Sequence, residues 1–178
     1  MIFHPTKISG VFEVEIERKE DERGYFARAF CENELREKAG IEFRSVQANR
    51  SLSKKKGTVR GMHYQKAPHW EAKLITCLEG AIYYLAADLR PASPTHKQWV
   101  AVELTSEKKN MILIGEGCAG GSQTLTDDCE ILYFMSDIYY PDLAAGISIK
   151  DPQFNFVWPL GEPAVISERD LALPNYSD

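Results

Sequence analysis

The chain reads as a mainly β protein, a jelly roll or barrel, with one short helix near the N-terminus and a short helical C-terminal tail. Three observations lead there. Residues 11–16, Val-Phe-Glu-Val-Glu-Ile, alternate apolar and charged side chains with the period of a half-buried strand. Short β-rich runs then recur with turn signals between them, over 45–49, 58–65, 71–79, 81–89, 98–104, 111–114, 122–125 and 129–136. The best helix candidate is 33–40, Asn-Glu-Leu-Arg-Glu-Lys-Ala-Gly, with Asn33 or Cys31 near its start and Gly40 as its end.

The remaining elements follow in order. Asp21-Glu22-Arg23-Gly24-Tyr25-Phe26 is a turn leading into a second strand. Ser53-Lys54-Lys55-Lys56-Gly57 is a cationic loop, and a solvated turn is its ordinary role. Glu79-Gly80 and Arg90-Pro91 mark tight connections. From Ile147 to Pro159 the chain becomes a tail rich in Pro and Asp, and Ser167-Glu168-Arg169-Asp170 marks the expected terminal helix. There is no repeat and no low-complexity linker, so residues 1–178 are expected to form a single domain.

Bulk composition narrows the function. A hydrophobic fraction of 44% is enough for a real core. A net charge of −5 argues against a surface that coats nucleic acid, but leaves room for a local basic pocket that holds a phosphate. The four cysteines, at 31, 77, 118 and 129, form no C-x-x-C pair. Cys77 and Cys129 lie in apolar runs and are expected as buried free thiols, which suits a reduced, cytoplasmic setting. The N-terminus has no charged-then-apolar signal pattern. No apolar run approaches the roughly 20 residues of a membrane span, so no membrane partner is expected.

The run Thr58-Val59-Arg60-Gly61-Met62-His63-Tyr64-Gln65, with Lys73 ten residues after the histidine, carries the chemistry. An imidazole takes a proton near neutral pH, and nearby cations hold the negative charge left behind. Strict alternation places Arg60 and His63 on opposite strand faces. For both to serve one pocket the strand must bulge or twist at Gly61, where glycine tolerates it. A barrel metal site is the competing arrangement. A G-x5-H-x-H signature fits Gly57 and His63, but its second histidine falls on Gln65, and the later histidine of such a site falls on Gly120. Only His69 and Glu71 remain as extra ligands, so no metal is expected.

In order, the chain carries Asp21-x-Arg23-Gly24-x-Phe26, Gln47-x-Asn49-x-Ser51, Arg60-Gly61-Met62-His63-Tyr64-Gln65, Lys73-Leu74, Asp88-x-Arg90-x-x-Ser93-Pro94-Thr95, Tyr133 and Asp151-Pro152. This series resembles the dTDP-4-dehydrorhamnose 3,5-epimerase family of nucleotide-sugar epimerases, from about residue 8 to residue 172. Each motif is weak alone; their order and spacing carry the resemblance. It implies a cupin-type β jelly roll and a homodimer whose N-terminal strands cross to the partner. It implies a nucleotide-sugar substrate with a 4-keto group on a 6-deoxyhexose, and neither metal nor other cofactor. His63 would be the general base and Asp170 its carboxylate partner. Lys73 would stabilise the enolate oxygen, and Tyr133 would return the proton from the opposite face. Arg60 and Arg23 would contact phosphate and sugar, with Phe26, Gln47 and Asn49 also near the pocket.

Three positions depart from the family pattern. The segment usually reading F-A-H-G-F is Cys118-Ala119-Gly120-Gly121-Ser122, so a pocket histidine and an aromatic ring are missing. A base-stacking tyrosine is replaced by Ile138, which offers an apolar contact without a stack. Arg28 stands where a carboxylate is commoner. The proposed base, its partner, the enolate stabiliser and the acid are all kept. Retained proton-transfer chemistry on an altered substrate is therefore expected. The smaller residues at 120 and 122 would leave room for a larger sugar, and Tyr139 or Tyr140 would take over the stack or the base would be other than thymine. Inversion at C3, at C5 or at both fits. Two further readings are a 3,4-ketoisomerase working through the same enolate, and a sugar-nucleotide-binding cupin without turnover.

Overall fold

Two antiparallel sheets face each other, as the alternation of apolar and polar residues requires. The computed structural model describes residues 1–177; Asp178, the end of the expected domain, lies outside them. One sheet holds, in spatial order, β1 (Ile2–Pro5), β2 (Val11–Glu15), β10 (Met111–Ile114), β7 (Lys73–Glu79), β12 (Cys129–Met135) and β5 (Gln47–Ser53). The other holds β13 (Ala144–Gly146), β6 (Val59–Gln65), β11 (Cys118–Thr124), β8 (Ala81–Asp88) and β9 (Trp99–Thr105). A separate hairpin pairs β3 (Lys19–Asp21) with β4 (Gly24–Phe26). Helix α1 covers Glu32–Ala39 and α2 covers Glu168–Leu171. The mainly β, cupin-like architecture expected from the sequence is the one observed.

The inward residues of both sheets make one core layer that includes Ile75, Ile82, Tyr84, Leu104 and Ile112. Each fully buried Ile or Leu contributes about 1.5–3 kcal/mol of transfer free energy. The edge strand β5 shows the division plainly: Gln47, Asn49, Ser51 and Ser53 turn inward, while Ala48, Arg50 and Leu52 are exposed. Its inner face is polar, which leaves the space beneath it as a cleft rather than core. Helix α1 ends as expected, with Gly40 at φ 68° and its N–H donating to the Arg36 carbonyl at 3.1 Å. Cys31 is the N-cap residue, but no side chain caps the helix.

The structure extends the sequence reading in several places. β1 and β13 are additional strands, and β11 begins at Cys118 rather than at Ser122. The run Cys118-Ala119-Gly120-Gly121 lacks strand composition; pairing with β6 on one side and β8 on the other extends it anyway. The tail after β13 folds back onto the second sheet, burying Ile147, Ile149 and Phe154. Lys54, Lys55 and Lys56 are exposed, as a solvated loop should be. Cys77 and Cys129 are buried free thiols, and burial pushes the Cys77 thiol up to about 12. Among the described residues, no helix is long and apolar enough to cross a membrane.

Candidate active site

The strand that carries His63 breaks its alternation at the position where the sequence demands it. Arg60 pairs with Ser122 and His63 with Gly120, so Gly61 and Met62 together oppose the single residue Gly121. This bulge returns Arg60 and His63 to the same face. Gly61 sits at φ 129°, and a Cβ there would lie 2.5 Å from the Gly121 Cα, so both glycines are needed for the strands to meet.

Helix α2 brings the carboxylate. Ser167 caps it, accepting the Asp170 N–H at 3.1 Å. The buried Asp170 then reaches His63 Nε2 at 2.8 Å through Oδ1 and accepts the Gly61 N–H at 3.2 Å through Oδ2. The carboxylate thus holds both the ring and the bulge beneath it. With Nε2 donating to Asp170, Nδ1 is the ring nitrogen left to take a proton. His63 is 41% exposed, so it opens on the cleft.

Across the cleft, the first sheet contributes Lys73 from β7, Tyr133 from β12, and Gln47 and Asn49 from β5. Tyr133 pairs in register with Asn49 and with Ile75, which places these side chains on one inner face. Lys73 forms an ion pair with the buried Glu71 at 2.5 Å. Burial raises the Tyr133 phenol above its ordinary value, the Glu71 carboxylate adds to this, and Asn49 and Arg60 oppose it. Tyr133 therefore holds its proton throughout the neutral range. Gln47 donates to Asn49 Oδ1 at 3.1 Å and accepts the Tyr139 N–H at 3.0 Å. Arg60 is fixed by bonds to Ser53 Oγ at 3.0 Å and to the Leu52 carbonyl at 3.2 Å.

His63, Asp170, Lys73, Tyr133, Gln47, Asn49, Arg60 and Gly120 therefore line one continuous cleft between the sheets. Arg23, Phe26 and Arg28 are not brought to it within the chain. Arg23 pairs with Asp21 on the outlying hairpin, Phe26 is 73% exposed, and Arg28 pairs with Glu34 of α1. Ile138 is exposed near the rim, where its carbonyl accepts from Gln65 at 3.1 Å. Of the two candidates to replace a stacking ring, Tyr140 is engaged, stacked on His69 at 3.9 Å. Tyr139 lines the cleft and is half-exposed.

The expected extra room at Gly120 is not there. A Cβ on Gly120 would meet the Tyr84 hydroxyl at 2.6 Å, so the Tyr84 ring fills that space. Glu71, like Arg169, is a further lining residue whose place in the site the sequence did not disclose. Its Oε1 holds Lys73, while Oε2 is buried with no hydrogen-bond partner among the described residues. Its place two residues before Lys73, in the run 71–79 that reads as one strand from the sequence, was the available signal for it, although β7 itself begins at Lys73. Among the described residues no group of three or more His, Cys, Asp or Glu side chains gathers as a metal site would; His69 pairs with Asp137 at 2.8 Å.

Comparison with known proteins places this cleft in context. A family model for dTDP-4-dehydrorhamnose 3,5-epimerase matches residues 5–178. A dTDP-4-dehydrorhamnose 3,5-epimerase of Methanothermobacter thermautotrophicus is 37% identical over 170 residues, covering 94% of this chain and 90% of the relative. A dTDP-4-dehydrorhamnose 3-epimerase of Streptomyces niveus is 34% identical over 170 residues, covering 96% and 81%. The crystal structure of the Bacillus anthracis dTDP-4-dehydrorhamnose 3,5-epimerase with TDP and PPi bound superposes with a TM-score of 0.92 at 32% identity, covering 98% of this chain and 99% of that one.

Proposed function

The chain belongs to the dTDP-4-dehydrorhamnose 3,5-epimerase family and is an isomerase of that family, and we propose that its cleft inverts a carbon beside the ketone of a 4-keto-6-deoxy nucleotide sugar. The observation that carries this is the His63–Asp170 pair on one wall of a cleft whose other wall presents Lys73 and Tyr133. In the first step His63 Nδ1 takes the proton from the carbon next to the ketone. The C–H electrons become the C=C bond of an enolate, and the oxygen gains the negative charge. The Lys73 ammonium stabilises that oxygen, and Asp170 stabilises the imidazolium. Tyr133 then gives its proton to the opposite face of the carbon, the C=C electrons form the new C–H bond, and the ketone returns. Solvent protons restore Tyr133, and His63 releases its own.

Arg60 is a cleft cation that would take the diphosphate, beside Arg169, with Gln47 and Asn49 as polar contacts along the same cleft. TDP, the nucleotide in the Bacillus anthracis structure, is the first nucleotide to test, with Tyr139 offering the stacking ring that Ile138 does not. The hairpin of β3 and β4 favours a homodimer with exchanged N-terminal strands. A two-stranded hairpin is marginal alone, and Tyr25 and Phe26 expose their rings on it. Crossing to a second copy would carry Arg23, Phe26 and Arg28 to the partner's cleft and cover those rings. Buried reduced thiols suit a cytoplasmic setting.

The test is solvent exchange in deuterated water, followed by NMR on a TDP-linked 4-keto-6-deoxyhexose. The wild-type protein is expected to place deuterium at a stereocentre next to the ketone and to leave the ketone at C4. His63→Ala is expected to lose that exchange by at least about a hundredfold. Normal exchange in the variant would remove His63 as the base, and a ketone moved to C3 would make the enzyme a ketoisomerase.

A further inference from the structure

Tyr84 belongs to no motif that pointed to the site, yet its hydroxyl ends there. It comes from β8, the strand that pairs with β11 in the same sheet, with its ring in the core between the sheets. It lines the same part of the cleft as His63, Lys73 and Tyr133. Its hydroxyl stands over Gly120, 2.6 Å from where a Cβ would be, and Gly120 is the register partner of His63. The phenol is thus on the His63 side of the cleft. It makes no hydrogen bond to protein among the described residues. Burial raises its pKa, with Tyr133 and Glu71 adding to the effect, so the group is a neutral O–H donor. Its ring is buried while its hydroxyl opens on the cleft, where no protein group among the described residues pairs it. A ligand oxygen in the cleft would satisfy it.

We propose that Tyr84 is a specificity-determining residue whose hydroxyl donates a hydrogen bond to the sugar hydroxyl on the carbon that His63 deprotonates. The inference rests on the epimerase reading above and deepens it. Two carbons flank the ketone of a 4-keto-6-deoxyhexose. C3 carries a hydroxyl, while C5 carries the methyl group and the ring oxygen. A phenol donor beside the base therefore favours the pose in which C3 faces His63. Glycine at 120 is what admits this donor, since any side chain there would occupy the position of the Tyr84 hydroxyl.

Tyr84→Phe removes the hydroxyl and keeps the ring, so the core stays filled. Deuterium uptake at C3 is measured for wild type and variant on two TDP-linked substrates, the 4-keto-6-deoxyhexose and its 3-deoxy counterpart. On the first, the variant is expected to lose about tenfold in kcat/KM, the effect of one neutral hydrogen bond. On the second, the ratio of wild type to variant is expected to be near one, because the accepting oxygen is gone. Gly120→Ala, which displaces the hydroxyl, should show the same substrate dependence. An unchanged rate on the 3-hydroxy sugar, or an equal loss on both sugars, overturns the role of Tyr84 while leaving the epimerase reading in place. On the 4-keto-6-deoxyhexose, wild-type exchange at C5 with none at C3 overturns the role of Tyr84 alone, and absence of exchange at both carbons overturns both.

Discussion

Tyr133 and His63 face the cleft from opposite sheets, and that opposition separates two proton transfers at the level of single residues. A phenol held above its ordinary pKa by burial and by the Glu71 carboxylate keeps its proton at neutral pH, so it stands ready as a donor and not as the base that opens the reaction. Tyr133→Phe is accordingly expected to slow net inversion by about 100-fold or more, and to slow deuterium loss to the His63 side by less than about tenfold. The comparison of stereochemical inversion with wash-out from substrate labelled at that carbon checks it. Equal losses in both would make Tyr133 a binding group rather than the acid. The Lys73–Glu71 pair works at the same scale. One carboxylate oxygen fixes the ammonium, and the other remains buried beside the cleft without a partner among the described residues.

At the level of elements, the bulge in β6 is the device that makes the site. Its inserted residue turns Arg60 and His63 to one face, and its Gly61 N–H binds the same carboxylate that orients His63. Gly61→Ala places a methyl group 2.5 Å from the Gly121 Cα at a backbone angle of φ 129°. The expected cost is about 2–4 kcal/mol of stability, read as a shift of the urea midpoint, together with loss of exchange activity as His63 leaves Asp170. A variant as stable and active as the wild type would show that the strands can separate there freely. The requirement for a bulge was legible in the sequence, because Arg60 and His63 have the wrong parity for one face. So was α1, which carries its own stop signal in Gly40. β11 was legible only in part, since Ala119-Gly120-Gly121 become strand through their neighbours. Asp170 lies 107 residues from His63, and only the resemblance of the whole motif series linked them. Tyr84 had no signal at all: its role depends on its hydroxyl reaching Gly120, the register partner of His63, from the neighbouring strand, a fact of pairing that one strand's composition does not encode.

At the scale of the whole molecule, the two sheets are tied together at the end of β8 by a buried carboxylate. Asp88 accepts from Arg90 Nε and Nη2, each at 2.8 Å, and from the hydroxyls of Ser93 and Thr95 at 2.5 and 2.7 Å. Arg90 in turn donates to the Ser9 carbonyl at 2.9 Å, in the loop between β1 and β2 of the opposite sheet. The Asp-x-Arg-x-x-Ser-Pro-Thr motif thus builds the scaffold and stands away from the cleft. Burial alone would raise the Asp88 carboxyl, but the bonds from Arg90, Ser93 and Thr95 outweigh it and hold the group down at about 2, below its ordinary 3.8. A depressed folded-state value stabilises the fold above the unfolded value, and that stabilisation is lost as pH falls from about 4 through about 2. Asp88→Asn keeps the shape, removes the charge and leaves Arg90 facing a neutral amide. At pH 7 it is expected to lower the unfolding free energy by about 2–3 kcal/mol. The gap between wild type and variant should narrow below pH 4 and nearly close by pH 2, as the wild-type carboxyl also becomes neutral. Urea unfolding of both proteins at pH 7, 4 and 2.5 measures it, and a gap independent of pH would show that Asp88 holds the sheets through its hydrogen-bond geometry rather than its charge.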